Sequence, residues 1–186
     1  MPDLIPHDRS ARLLLPHTGK EAGKYPRTLL LGYGNIDRQD DGVAWHILRA
    51  VAEREGFVLA ETPEENQVEL SPLISIRFEL QLAPEIAEFV SSYQRVAFID
   101  AHTGRVEQSF HSEILQPQYV NSPFTHHLTP STCLSLAETI YGKAPQAVLV
   151  TVRGYEFGFS RTLSPVTNQY VTVAAEWLVN WLKHPS

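Results

Sequence analysis

The sequence predicts an α/β protein: a single-domain three-layer α/β/α sandwich with a mostly parallel, doubly wound sheet and one antiparallel edge strand. Three observations carry this. Short apolar runs at Thr28–Leu31, Val68–Phe78, Arg95–Asp100 and Gln146–Val152 are the length of strands buried on both faces. Segments with apolar residues at helical spacing separate them. Twice, a cap residue followed by proline announces a helix, at Thr129-Pro130 and Ser164-Pro165.

The elements follow in order. Residues 1–26 carry four prolines and one apolar patch, Leu13 to Leu15, and read as an irregular N-terminal arm ahead of an α/β domain over 27–186. Thr28–Leu31 is the first strand, and Gly32-Tyr-Gly-Asn35 is the turn that ends it. Ala44, Ile47, Leu48 and Val51 then mark a helix over about 41–54, with Asp40 and Asp41 at its start, where carboxylates can accept from first-turn N–H groups. Val68–Phe78 supplies a second strand and Ala83–Tyr93 a second helix with Pro84 in its first turn. Arg95–Asp100 is the third strand, ending in an acid. Ser109–Leu115 alternates as an edge strand does. A loop with Pro117 and Pro123 delivers His126-His127, and a helix follows from Thr129 to about Tyr141, closed by Gly142. After Gln146–Val152, the aromatics Tyr155, Phe157 and Phe159 read as filling the edge of the core. The last helix sets Val166, Tyr170, Val173, Trp177 and Trp181 along one side.

Composition narrows the function. With 186 residues, 43% of them hydrophobic, the chain can bury a sizeable core. A net charge of −6 argues against a nucleic-acid footprint, which needs a basic face. No long apolar window predicts a membrane span and no apolar N-terminal core predicts a signal peptide, so a cytoplasmic location is expected. The lone cysteine, Cys133, excludes an internal disulfide and a multi-cysteine metal site, and reads as packing.

In an open parallel sheet, ligands bind at the carboxyl ends of the strands. Asp41 follows the first strand, Asp100 ends the third, and His126 stands before the next crossover helix. Taken singly, each has a plainer reading: Asp41 as a cap partner, Asp100 as a loop cap, the two histidines as solvated. Taken together, two carboxylates and an imidazole can hold a divalent metal and leave positions open for substrate or water. A nucleotide site at Gly32-Tyr-Gly-Asn-Ile-Asp37 is the weaker alternative. The third glycine of that fingerprint is missing, and acids stand where a pyrophosphate would lie.

At these residues the chain resembles the hydrogenase maturation endopeptidases, which clip the C-terminal tail of a [NiFe]-hydrogenase large subunit after nickel insertion. Gly32-Tyr-Gly-Asn35 with Arg38-Gln-Asp-Asp-Gly-Val43 is similar to the family's opening motif. Leu82-Ala-Pro-Glu-Ile-Ala87, Ile99-Asp-Ala101, His126-His-Leu-Thr-Pro130 and Leu163-Ser-Pro165 resemble later ones in the same order. The resemblance implies a peptide-bond hydrolase of the aspartic, metal-dependent type, without a Ser-His-Asp triad. Its site would be Asp41, Asp100 and His126, serving as both catalytic and metal-contacting residues. His126 is preferred to His127 by the motif's histidine, any residue, leucine. Nickel would be presented by the substrate, with no tightly bound organic cofactor, and the partner would be a large-subunit precursor. The sequence departs from the family at Ile76–Gln81, where members often carry Asp-Gly-Gly, and at Gln39 and Ala44, which replace glycines. The same ligands would equally serve a non-catalytic metal-binding or scaffold protein on this fold, or a peptidase for another substrate.

Overall fold

A computed structural model describes residues 26–63, 67–104, 106–119 and 128–184. The N-terminal arm to residue 25 and both histidines, His126 and His127, lie outside these. In chain order the elements are β1 (Thr28–Tyr33), a 3-10 turn (Gln39–Gly42), α1 (Val43–Arg54), β2 (Gln67–Ser71), β3 (Ile74–Glu79) and α2 (Ile86–Ser91). There follow β4 (Arg95–His102), β5 (Phe110–Leu115), α3 (Pro130–Tyr141), β6 (Gln146–Arg153) and α4 (Pro165–Lys183).

The six strands form one sheet in the order β2-β3-β1-β4-β6-β5. The inner four are parallel, while β2 and β5 run antiparallel to their neighbours at the two edges. β5 is the edge strand expected from its alternation. The second edge arises because Val68–Phe78 is not one strand but a hairpin, β2 and β3, turning at Pro72. Proline cannot donate to a ladder, so the run folds back at that point.

Helices cover both faces. α1 and α4 pack together on one, over a core that includes Leu30, Ile47, Leu48, Ile99, Val150 and Leu178. α2 and α3 pack together on the other, over Leu29, Leu31, Phe98, Val90 and Leu134. Alternation along a strand sends successive side chains to opposite cores, and Leu29, Leu30 and Leu31 are all fully buried. Each such side chain stabilises the fold by about 1.5–3 kcal/mol. The prolines at Pro130 and Pro165 stand at the first turns of α3 and α4, capped by Thr129 and Ser164, and Gly142 closes α3 at φ +76°. α2 is shorter than expected, since Ala83 and Pro84 form a separate turn before it. Cys133 is buried, and burial pushes its thiol up to about 12, as a packing role requires. No helix among the described residues is long and apolar enough to cross a membrane.

Topology places the crevice. The chain leaves β1 for α1 on one face, whereas beyond β4 and β5 it reaches α3 on the other. β1 and β4 are hydrogen-bonded neighbours. Their outgoing connections therefore diverge, and the gap between them at the carboxyl ends is where such sheets bind ligands.

Candidate active site

Between β1 and α1 the backbone makes a tight reversal that brings the acidic pair back over the strand end. Gly34 takes φ +136°, and a Cβ there would lie 2.1 Å from the Asp41 carbonyl oxygen, so only glycine fits. Gln39 takes φ 52°, the one positive value among described non-glycine residues and at a position where the resembling family has glycine. Its side chain compensates: Nε2 donates to Glu156 at 2.8 Å and Oε1 accepts from the Gly158 N–H at 3.2 Å.

The two aspartates do different jobs, and neither caps its own helix as expected. Asp40 is fully buried and binds the far segment of the chain. Its carboxylate accepts from the N–H groups of Tyr155, Glu156 and Ser164 at 2.8–2.9 Å, with the hydroxyls of Ser164 and Thr167 each at 2.7 Å. Burial alone would raise its pKa, but the donors from Ser164, Tyr155 and Glu156 outweigh it and the net shift is downward. Asp40 thus anchors the β6–α4 connection and the start of α4 to the β1–α1 turn. The anchoring continues through the Arg38–Ser160 bridge and the Arg161–Asp37 ion pair.

Asp41 is half-buried and spends one oxygen, Oδ2, on the Asn35 N–H at 2.9 Å. Asp100 is half-buried near the end of β4, two residues short of its last, and its Oδ1 accepts from the Ala101 N–H at 2.7 Å. In register, Gly32 pairs with Ile99, so Tyr33 and Asp100 are the next neighbours across the two strands, and the Tyr33 hydroxyl faces the Asp100 carboxylate as a donor. Burial first, and then the Asp100 charge, raise the Tyr33 pKa well above its ordinary value, so it stays a neutral donor. Two residues of one three-residue segment therefore reach the two carboxylates: Tyr33 meets Asp100, and the Asn35 N–H holds Asp41.

The sheet surface changes character here. Leu31, Phe98 and Leu149 form an apolar row across three strands, and two residues further along it is replaced by Tyr33, Asp100 and Thr151. Thr151 is buried beside Asp100, and its Oγ1 has no hydrogen-bond partner among the described residues. Sequence reasoning missed Tyr33 and Thr151, although a polar residue ending each of three adjacent apolar runs was visible.

Among the described residues no three His, Cys, Asp or Glu side chains are placed to hold a metal ion. The third expected member, His126, lies outside them. The described residues that follow it, Leu128 and Thr129, stand at the start of α3, with Leu128 packed on the Leu31–Phe98 core. At Ile76–Gln81, Arg77 is paired with Glu79 and lies over the Phe89 ring at 4.4 Å, so the end of β3 carries a neutralised ion pair. The loop after β6 departs from expectation. Tyr155 is 43% and Phe159 94% exposed, because Asp40 and Gln39 hold that loop by its backbone rather than by core packing.

Known structures match this architecture closely. The hydrogenase maturating endopeptidase HybD from E. coli superposes with a TM-score of 0.61 at 18% identity, covering 84% of this chain and 92% of its own. The fold is that of the hydrogenase maturation endopeptidases. The [NiFe] hydrogenase maturation protease HycI from Thermococcus kodakarensis gives 0.56 at 21% identity over 85% of this chain and 93% of its own. A solution structure of an endopeptidase from Escherichia coli gives 0.60 at 20% over 84% and 92%. No family model matches the sequence, and no curated protein does. Identities this low establish the shared fold, and chemistry must be argued from the site.

Proposed function

We propose that this protein is an endopeptidase that removes the C-terminal tail of a nickel-loaded [NiFe]-hydrogenase large subunit, using the substrate's nickel for recognition. The observation that supports it most is that Asp41 and Asp100 both contact the Tyr33–Asn35 segment at the end of β1, in a fold shared with hydrogenase maturation endopeptidases. His126 is the third ligand in this reading. The Asn35 N–H binds Oδ2 of Asp41 and the Ala101 N–H binds Oδ1 of Asp100.

Two carboxylates and one imidazole suit a divalent ion of intermediate softness, and three ligands leave its coordination open. Such a set binds free metal modestly but can complete the shell of a nickel already held by another protein's thiolates. The nickel belongs to the substrate and supplies positioning and Lewis acidity at the scissile region. Asp41 and Asp100 orient that ion relative to the bond and accept the proton of the attacking water, while docking holds carbonyl and water together.

The experiment that tests the reading mixes the protein with nickel-loaded and nickel-free large-subunit precursors from the same genome and reads intact mass. Tail loss from the loaded precursor alone is the expected result. No cleavage, with metal still bound at Asp41 and Asp100, would favour a binding or scaffold role.

A further inference from the structure

A second concavity, of about 570 Å³, opens between α1 and the segment that leads into α4. Ile36, Trp45 and Leu163 supply apolar wall, and His46, Arg49 and Arg161 supply polar wall. It shares the β1–α1 loop with the candidate active site: Asn35 binds Asp41, Ile36 lines the cavity, and Asp37 pairs with Arg161.

The charges lining it are not balanced. Arg49 is half-buried and has no carboxylate within salt-bridge distance among the described residues. Arg161, an exposed residue, pairs its Nε with Asp37 at 2.6 Å, and no other ion pair of its guanidinium is formed among the described residues. The His46 ring bonds the Arg161 backbone, and burial, then Arg49, lower its pKa toward the neutral form. The one carboxylate on the wall, Glu61, belongs to an exposed residue whose carbonyl accepts from the Trp45 indole at 2.8 Å. A half-buried guanidinium facing a cavity, with no carboxylate partner among the described residues, calls for an anion that the described fold does not provide.

We propose that this cavity binds a peptide carboxylate, received by Arg49 and Arg161, with an adjoining apolar side chain against Ile36, Trp45 and Leu163. The guanidinium fork suits a planar carboxylate, and the apolar wall beside it suits an amino-acid side chain more than a bare ion. In naming the ligand as peptide, the inference rests on the peptidase reading: a tail passing over the 35–37 loop from the Asp41 side enters this cavity. The carboxylate is either the chain terminus or an acidic side chain.

The test uses the full chain, ¹⁵N-labelled, and follows the Trp45 indole and Arg49 Nε signals while titrating four probes: N-acetyl-leucine, N-acetyl-leucine amide, N-acetyl-aspartic acid amide and inorganic phosphate. Saturable shifts with one or both acids, and none with the leucine amide, are expected; the stronger acid identifies the source. Arg49→Gln should weaken acid binding by about tenfold or more, and Arg49→Lys, which keeps the charge but loses the fork, by less. The proposal is overturned by unmoved signals, by equal shifts from the amide, by phosphate binding as well as the acids, or by an Arg49→Gln titration like the wild type. Acid binding without cleavage of any precursor would leave this site standing and remove the peptidase reading. Cleavage without acid binding would do the reverse.

Discussion

Two adjacent aspartates with opposite duties define the site at the scale of the residue. Among the described residues only the Asn35 N–H binds the Asp41 carboxylate, at Oδ2, so Asp41→Asn is expected to weaken nickel or cadmium binding in calorimetry while leaving the melting temperature near that of the wild type. Asp40 is structural. Asp40→Asn puts an amide NH₂ among five donors, and a loss on the order of 3 kcal/mol is expected in urea unfolding. The pH dependence follows from the lowered pKa. The stability Asp40 contributes is fully present above the unfolded carboxylate value, roughly 3.9, and is lost as pH falls through the lower folded value. The wild type should therefore lose more stability in acid than Asp40→Asn does. A variant with the wild-type acid dependence would show that the network does not ionise as described. Asp-Asp-Gly was read as one capping aspartate with Asp41 left for the crevice, but what Asp40 binds was not legible, because its partners stand more than a hundred residues away.

Among the elements, the β6–α4 connection shows how a departure from the family pattern is absorbed. Gln39 accepts a backbone conformation costing roughly 1 kcal/mol and returns two hydrogen bonds to the loop at Glu156 and Gly158. The ends of α1 and α4 give a prediction of their own. Glu55, just after α1, has its carboxyl pushed up to about 7 by burial, only partly opposed by Lys183 of α4, and its Oε1 lacks a hydrogen-bond partner among the described residues. A raised carboxyl pKa stabilises the fold below the unfolded value, roughly 4.3, and that contribution disappears as pH rises through 7. Glu55→Gln should therefore raise the melting temperature at pH 8 and change it little at pH 5. Equal effects at both would show that Glu55 is not desolvated as described.

For the whole molecule, the described members of both cores run from residue 29 to residue 182. A chain lacking residues 1–24 is therefore expected to keep a single cooperative thermal transition, measured by circular dichroism; loss of that transition would show that the core needs the N-terminal segment. The same two cores explain why the candidate site can be concentrated at one end of the sheet. Rows of apolar residues rigidify the strands, and the first polar row, Tyr33, Asp100 and Thr151, is held in place by everything beneath it.

Local chemistry determined what the sequence alone could determine. Buried strands need apolar runs, helices need their period and their proline starts, and a parallel sheet needs helices between its strands, so architecture and the neighbourhood of Asp41 and Asp100 were legible in order. The folding back of Val68–Phe78 into a hairpin was less so, because one proline within an apolar run signals a break without saying how the chain continues. Tertiary structure alone decided what Asp40 binds, the meeting of Tyr33 with Asp100, and the placing of Arg49 at its cavity without a carboxylate partner among the described residues. Each of these depends on residues far apart in sequence coming within a few ångströms, a distance that no local pattern encodes.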